Sequence, residues 1–338
     1  MSTPPLARAM DGVRLHVVTG KGGVGKTTVA SALALALSRQ GKRVLIAEVE
    51  GRQGISQTFD VPPLGIEEVR LVSHAGGGEV WGISVDAKAA LLEYLQLFYK
   101  LGRAGGALER MGVIDFATTI APGVRDVLLI GKVYEAVGRT TGPRRHQGPK
   151  AWDAVVLDAP PTGRITRFLN VTGEMGQLAR SGPIKTQSDG VMAVLKSPQT
   201  AVHVVTLLED MPVQETADAI KELTAVGLPI GHVVVNMATE PLLPEASLSR
   251  AAEGRLTGAE LAPALEAVHL PGALGDPLAA EAVEHAQRWA AQDALRGDVA
   301  ALGRPTIELP LLPGPMDLGS LFELAARLEA HVRPEIAA

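Results

Sequence analysis

The sequence predicts an α/β fold: a doubly wound, mainly parallel sheet of about seven strands with an inserted helical subdomain. Three observations carry that expectation. Short runs that are apolar on both faces, as in strands buried between two helical layers, recur along the chain. Ala/Leu-rich stretches of helical composition separate them, and a glycine-rich turn joins the first run to the first such stretch.

Val13 to Thr19 reads as the first strand, with Val13, Leu15 and Val17 alternating with Arg14 and His16. Thr27 to Gln40 contains no glycine or proline and favours helix, and Gly41 is suited to stop it. Val44 to Val49 is the next strand, completing a βαβ unit. Further strands are expected at Val80 to Val85, Ala154 to Leu157, Ala201 to Leu208, Ile230 to Val235 and Thr306 to Leu309. Two intervals without strand signal, about 88–137 and 164–196, are rich in helix formers and predict the helical subdomain. Gly76-Gly77-Gly78 reads as a turn between two strands, and Arg139 to Lys150 as a basic surface loop.

With 338 residues the chain is long enough for one large domain, 1–338, carrying such insertions. Its formal charge of −5 gives no positive field for non-specific nucleic-acid binding. The absence of cysteine excludes disulfides, thiolate zinc sites, iron–sulfur clusters and cysteine nucleophiles. No stretch approaches the roughly 18 consecutive apolar residues of a membrane span, and the first residues lack a signal-peptide core, so a cytoplasmic protein without direct membrane insertion is expected.

The chemistry concentrates in Gly20-Lys21-Gly22-Gly23-Val24-Gly25-Lys26-Thr27-Thr28, which fits G-x-x-x-x-G-K-[ST] between a predicted strand and a predicted helix. Glycines let the backbone approach a polyphosphate, and unpaired amides at the helix start favour its charge. Lys26 supplies a cation for the β and γ phosphates of ATP, and Thr27 a hydroxyl for Mg²⁺. Gly20, Gly22 and Gly25 also satisfy the dinucleotide pattern G-x-G-x-x-G. Lys26-Thr27 argues against it, as does the lack of an acid about 20 residues on, since Glu48 and Glu50 come later. A strand-end carboxylate is the expected second Mg²⁺ element. Asp158 after Val155-Val156-Leu157 supplies it, unless it merely caps the turn Ala159-Pro160-Pro161-Thr162-Gly163, whose glycine amide is placed to sense the γ phosphate.

Lys21, directly after the first loop glycine, is the signature of the "deviant" phosphate-loop class, and the chain resembles the arsenite-transport and tail-anchored-protein-targeting ATPase family nearly end to end. Its nearest likeness is to actinobacterial anion-transporting-ATPase-like members. The resemblance implies a phosphate-loop NTPase fold and a Mg²⁺-dependent ATPase working as a dimeric switch, with Lys21 reaching the nucleotide of a second subunit, either a copy or a close paralogue. The family pattern D-P-A-H-x-L-S-D-x-F corresponds to Glu50 through Phe59, so its catalytic aspartate falls on Glu50. A glutamate moves the carboxylate by about an ångström, a displacement able to cost on the order of a hundredfold in rate, so slow hydrolysis is expected. The pattern D-x-A-P-T-G corresponds to Asp158 through Gly163. The resemblance also assigns adenine contacts to Asn236, after Val233-Val234-Val235, and to the loop Pro310, Leu311, Leu312.

The departures narrow the biology. Without cysteine, neither the metalloid chemistry of the arsenite branch nor the C-x-x-C zinc staple of the targeting branch is available. Leu91 to Tyr99 corresponds in position to the targeting branch's client-binding region and reads either as core and dimer interface or as a site for a protein client. Two functions stay open: an ATP-hydrolysing switch, and a nucleotide-gated protein-binding module with little hydrolysis. A partitioning-type ATPase calls for a basic DNA-binding face or a C-terminal amphipathic membrane helix, and Leu321 to Val332 is short and mixed in charge.

Overall fold

The computed structural model describes residues 10, 12–49, 51–90, 122–142, 148–169 and 183–332. Leu91 to Tyr99, the rest of 91–121, and 170–182 lie outside the described residues, so of the expected helical insertions only the flanking parts are seen. Helix α3 (Pro122–Gly138) sets Leu129, Ile130 and Val133 against the sheet, and contacts both α4 (Thr162–Leu169) and α5 (Pro183–Leu195).

One eight-stranded sheet organises the molecule, in the order β3-β4-β2-β5-β1-β6-β7-β8. Strands β1 (Leu15–Gly20), β2 (Arg43–Val49), β4 (Glu79–Val85), β5 (Ala154–Asp158), β6 (Thr200–Thr206), β7 (Ile230–Ala238) and β8 (Thr306–Pro310) run parallel. These are the seven the apolar runs predict, with ends shifted by up to three residues. The eighth, β3 (Val69–Ser73), is an antiparallel edge strand paired with β4. Its mostly exposed Val-Arg-Leu-Val-Ser lacks the two-faced apolar run that marks the others. The triglycine sits in the turn between these two strands, where Gly77 N–H donates to the His74 carbonyl at 3.0 Å.

Alternation along the strands divides the core into two layers. Leu15, Val17, Leu45, Val155 and Leu157 face α3, α4, α5 and α6 (Asp210–Ala225). Val18, Ile46 and Val156 face α1 (Lys26–Ser38) and α10 (Leu318–Val332). Helix α1 has no polar stripe because it is sandwiched between the sheet and α10, and nearly every residue in it is buried. Helices α7 (Glu245–Ala252) and α9 (Gly275–Ala301) join through a smaller apolar cluster of Leu248, Ala251 and Ala286, and α8 (Gly258–Ala267) packs on α9. No described helix is long and apolar enough to cross a membrane.

From β1 the chain winds toward β2 on one side and, later, toward β6 on the other. In doubly wound sheets ligands bind outside the carboxyl ends of strands where the winding changes direction, and β1 delivers its glycine-rich turn there.

Candidate functional site

Strand β1 ends at Gly20, where a Cβ would lie 2.3 Å from the Val205 carbonyl oxygen, so any side chain would push β6 away. Gly23 and Gly25 have φ of 87° and 85°, the left-handed conformation that glycine adopts without strain. At Gly25, which precedes α1, a Cβ would stand 2.3 Å from Asn236 Nδ2. Nothing lies within 4 Å of a Cβ built at Gly22 or Gly23, which leaves the outer side of the turn open. Val24 is buried beneath it. The turn therefore presents backbone outward and anchors itself inward.

Lys26 opens α1 and bends back, donating from Nζ to the Lys21 carbonyl at 2.8 Å. Burial lowers its pKa, opposed by Asp158 and reinforced by Arg52. Thr27 Oγ1 donates to Asp158 Oδ2 at 2.6 Å, so two residues 131 apart in sequence meet. Thr28 follows in α1, partly buried. The other Asp158 oxygen, Oδ1, is buried without a hydrogen-bond partner. Burial first, and then the nearby Glu48, push the Asp158 carboxyl up to about 6, against the Thr27 hydrogen bond and the charges of Lys26 and Arg52. A carboxylate held this way is short of one ligand. With the Thr27 hydroxyl it forms a pair of hard oxygens that suits a magnesium ion, beside a glycine cradle that suits a polyphosphate.

The turn after Asp158 is tied to β1 by Thr19 Oγ1, which donates to the Pro160 carbonyl at 2.8 Å. Gly163 lies in the first turn of α4 with open space around it. Asn236 arrives from β7 and donates from Nδ2 to the Val24 carbonyl at 3.0 Å, propping the glycine turn from behind. Met237 beside it has φ 54°, a strained value for a side-chain-bearing residue. Pro310 ends β8, Leu311 N–H donates to the Ala238 carbonyl at 2.9 Å, and Leu312 packs on the α1 layer, so the loop at Pro310 to Leu312 borders the Asn236 strand end. Lys21 forms an ion pair with Glu215 of α6 at 3.0 Å. Glu50 lies outside the described residues.

Two contributors are absent from the motif reading. Glu48 is fully buried at the end of β2, in register with Asp158 of β5. Its Oε1 accepts the Gln53 N–H at 2.5 Å and its Oε2 the Ile55 N–H at 3.0 Å. An acid inside an otherwise apolar strand is itself a signal, since a buried carboxylate needs partners. Glu215 had no such signal, because its meeting with Lys21 depends on where α6 packs.

A family model for anion-transporting ATPases matches residues 13–187. Over 321 residues, 94% of this chain and 93% of the relative, the sequence is 50% identical to ATPase BagA of Mycobacterium tuberculosis. Over 245 residues, 68% of this chain and 39% of the relative, it is 27% identical to the arsenical pump-driving ATPase of Acidiphilium multivorum. The glycine turn, Lys26, Thr27 and Asp158 thus lie within the residues that the family model matches, and the chain belongs to the anion-transporting ATPase family as one of its nucleotide-binding ATPases.

Proposed function

We propose that the chain is a Mg²⁺-dependent ATPase that acts as a dimeric, nucleotide-driven switch. The observation that carries this reading is the Thr27–Asp158 hydrogen bond, with its orphaned carboxylate oxygen, lying beside the glycine cradle. The turn amides and Lys26 bind the phosphates, Lys26 exchanging its bond to the Lys21 carbonyl for phosphate oxygens. Thr27 and Asp158 hold the magnesium ion, which when bound neutralises charge on the β and γ phosphates. The Gly163 amide follows the γ phosphate. Asn236 and the Pro310–Leu312 loop border the space for adenine.

Glu50 orients the attacking water, and its extra methylene makes turnover slow. Lys21 neutralises transition-state charge in the active site of a second subunit, which requires it to leave Glu215. With no cysteine in the chain, metalloid–thiolate chemistry has no part, and arsenite is not expected to stimulate hydrolysis. The protein works in the cytoplasm, with a second copy or a paralogue as its partner, and a protein client at the helical insertions is the natural reader of its state.

The deciding measurement is Mg²⁺-dependent ATP hydrolysis per subunit against protein concentration. A specific rate that rises with concentration is expected for a site completed by Lys21 in trans. A flat, near-zero rate would favour the nucleotide-gated binding module instead. Glu50→Gln should retain ATP binding and lose turnover, and unchanged turnover would remove Glu50 from the mechanism.

A further inference from the structure

We propose that Glu48 is a positioning residue for hydrolysis: its buried carboxylate pins the turn from Gln53 to Ile55 against the Thr27–Asp158 pair. The proposal rests on the ATPase reading above and adds a residue that no motif in the chain contains.

The argument starts from what a carboxylate needs when no water reaches it. Both Glu48 oxygens are occupied, one by the Gln53 amide at 2.5 Å and the other by the Ile55 amide at 3.0 Å. Such charge-assisted bonds are the strong ones, and losing one leaves a buried group unsatisfied. With both oxygens engaged by backbone amides and the side chain fully buried, Glu48 is assigned a positioning role. Its bonds close the chain on itself: β2 ends at Val49, and residues 53 and 55 return to the carboxylate of residue 48. The turn at Gln53 to Ile55 is therefore tied to the end of β2, with Arg52 directly before it.

A second set of bonds holds the return. Gln53 has φ 58°, a left-handed conformation costly for a non-glycine residue. Its side-chain amide accepts the Leu64 N–H at 2.9 Å and donates to the Leu64 carbonyl at 3.1 Å. Ser56 Oγ donates to the Gln53 carbonyl at 2.9 Å. A strained residue this heavily bonded fixes one geometry rather than sampling several.

The pinned segment also touches the metal-binding pair. A Cβ at Gly54 would stand 3.0 Å from Thr27 Cγ2, 3.3 Å from Thr27 Oγ1 and 3.4 Å from Glu48 Oε2, so the turn packs closely against both residues. On the other side, Glu48 neighbours Asp158 across the β2–β5 ladder. One carboxylate thus connects the turn at Gln53 to Ile55 to the Thr27–Asp158 pair, and a shift of about an ångström there can cost on the order of a hundredfold in rate.

Glu48→Gln in the full chain tests this, because an amide group opposite one of the two N–H donors cannot accept. The expected result is a fall in kcat of roughly 10- to 100-fold, with KM and the affinity for a fluorescent ATP analogue unchanged within about threefold. Tryptic cleavage after the exposed Arg52 should accelerate about tenfold in the same variant, a readout that needs no hydrolysis. Glu48→Asp, which is one methylene short and reaches one amide, should fall between, and it carries the same readouts if the glutamine variant does not fold. A kcat within twofold of the native value would overturn the proposal, as would KM and kcat failing together with no selective cleavage at Arg52. If the native chain itself does not hydrolyse ATP, the ATPase reading fails, and the cleavage rate alone then decides whether Glu48 pins the segment.

Discussion

At the carboxyl rim of the sheet, Lys26, Asp158 and Glu48 bury groups that carry charge, next to a glycine turn open to solvent. Across the middle of the same sheet, His16, His203 and His232 bury three imidazoles on the face that carries Val18, Val205 and Val234. The rings stack at centroid distances of 5.4 and 5.6 Å. His203 Nδ1 accepts the His232 backbone N–H at 3.2 Å, which places its proton on Nε2, 3.1 Å from His16 Nδ1. Both regions contain orphaned buried atoms: Asp158 Oδ1 at the rim, His16 Nε2 and both His232 ring nitrogens in the stack. An unsatisfied buried atom therefore does not mark a ligand site alone. The rim adds opposed charges and open backbone, whereas the stack solves its burial by staying neutral.

The sharpest way to break this comparison is to neutralise the rim. With the folded pKa of Asp158 raised to about 6 from an ordinary 3.8, the native state binds the proton more tightly than the unfolded state. Stability is then lost as pH rises through that window, and the charged form is a burden at pH 8. Asp158→Asn should cost on the order of 10²–10³-fold in Mg²⁺-dependent turnover. It should also raise the thermal midpoint of the nucleotide-free chain, by up to about 3 kcal/mol of stability. A drop in the midpoint would show that Asp158 serves the fold rather than a ligand.

The histidine stack carries no catalytic effect but a stability effect with the opposite pH direction. Burial, with Lys42 and His232 adding to it, lowers His16 to about 3; burial and His331 lower His232 to about 4; and His203 lies well below its ordinary value. Here the unfolded state binds protons that the native state refuses. The native advantage is complete above about pH 6.5 and is lost progressively toward pH 4, by several kcal/mol on the scale of about 1.4 kcal/mol per unit. Thermal melts by circular dichroism from pH 8 to pH 4 should show this slope, and His232→Leu, which removes both orphaned nitrogens, should flatten it. An unchanged slope would assign the acid lability elsewhere.

The smallest effect belongs to the Lys21–Glu215 pair, where both side chains are about a third exposed. Such pairs are worth roughly 0.2–1 kcal/mol. Glu215→Gln should leave the melting midpoint within about a degree. Lys21 then has no competing partner, so half-maximal hydrolysis per subunit should move to a lower protein concentration, by up to about fivefold. No movement would mean that the pair does not compete with a second subunit.

The seven parallel strands were legible because a strand buried on both faces must be apolar throughout, and β3 was not, because an exposed edge imposes no such pattern. Gly20 to Thr28 was equally legible, since strand, turn and helix follow one another within a single stretch where local chemistry dictates the geometry. Asp158 and Asn236 could be named from short motifs, but what they touch could not. That Asn236 supports the Val24 carbonyl, and that Thr27 reaches Asp158, follows from the packing of β7 and β5 beside β1. The sheet, the glycine turn and the exclusion of thiol chemistry are thus properties of consecutive residues or of composition. The contacts of Glu48, Glu215 and the three histidines come from packing alone, because a polar residue's effect depends on which distant partners the fold brings within about 3 Å of it.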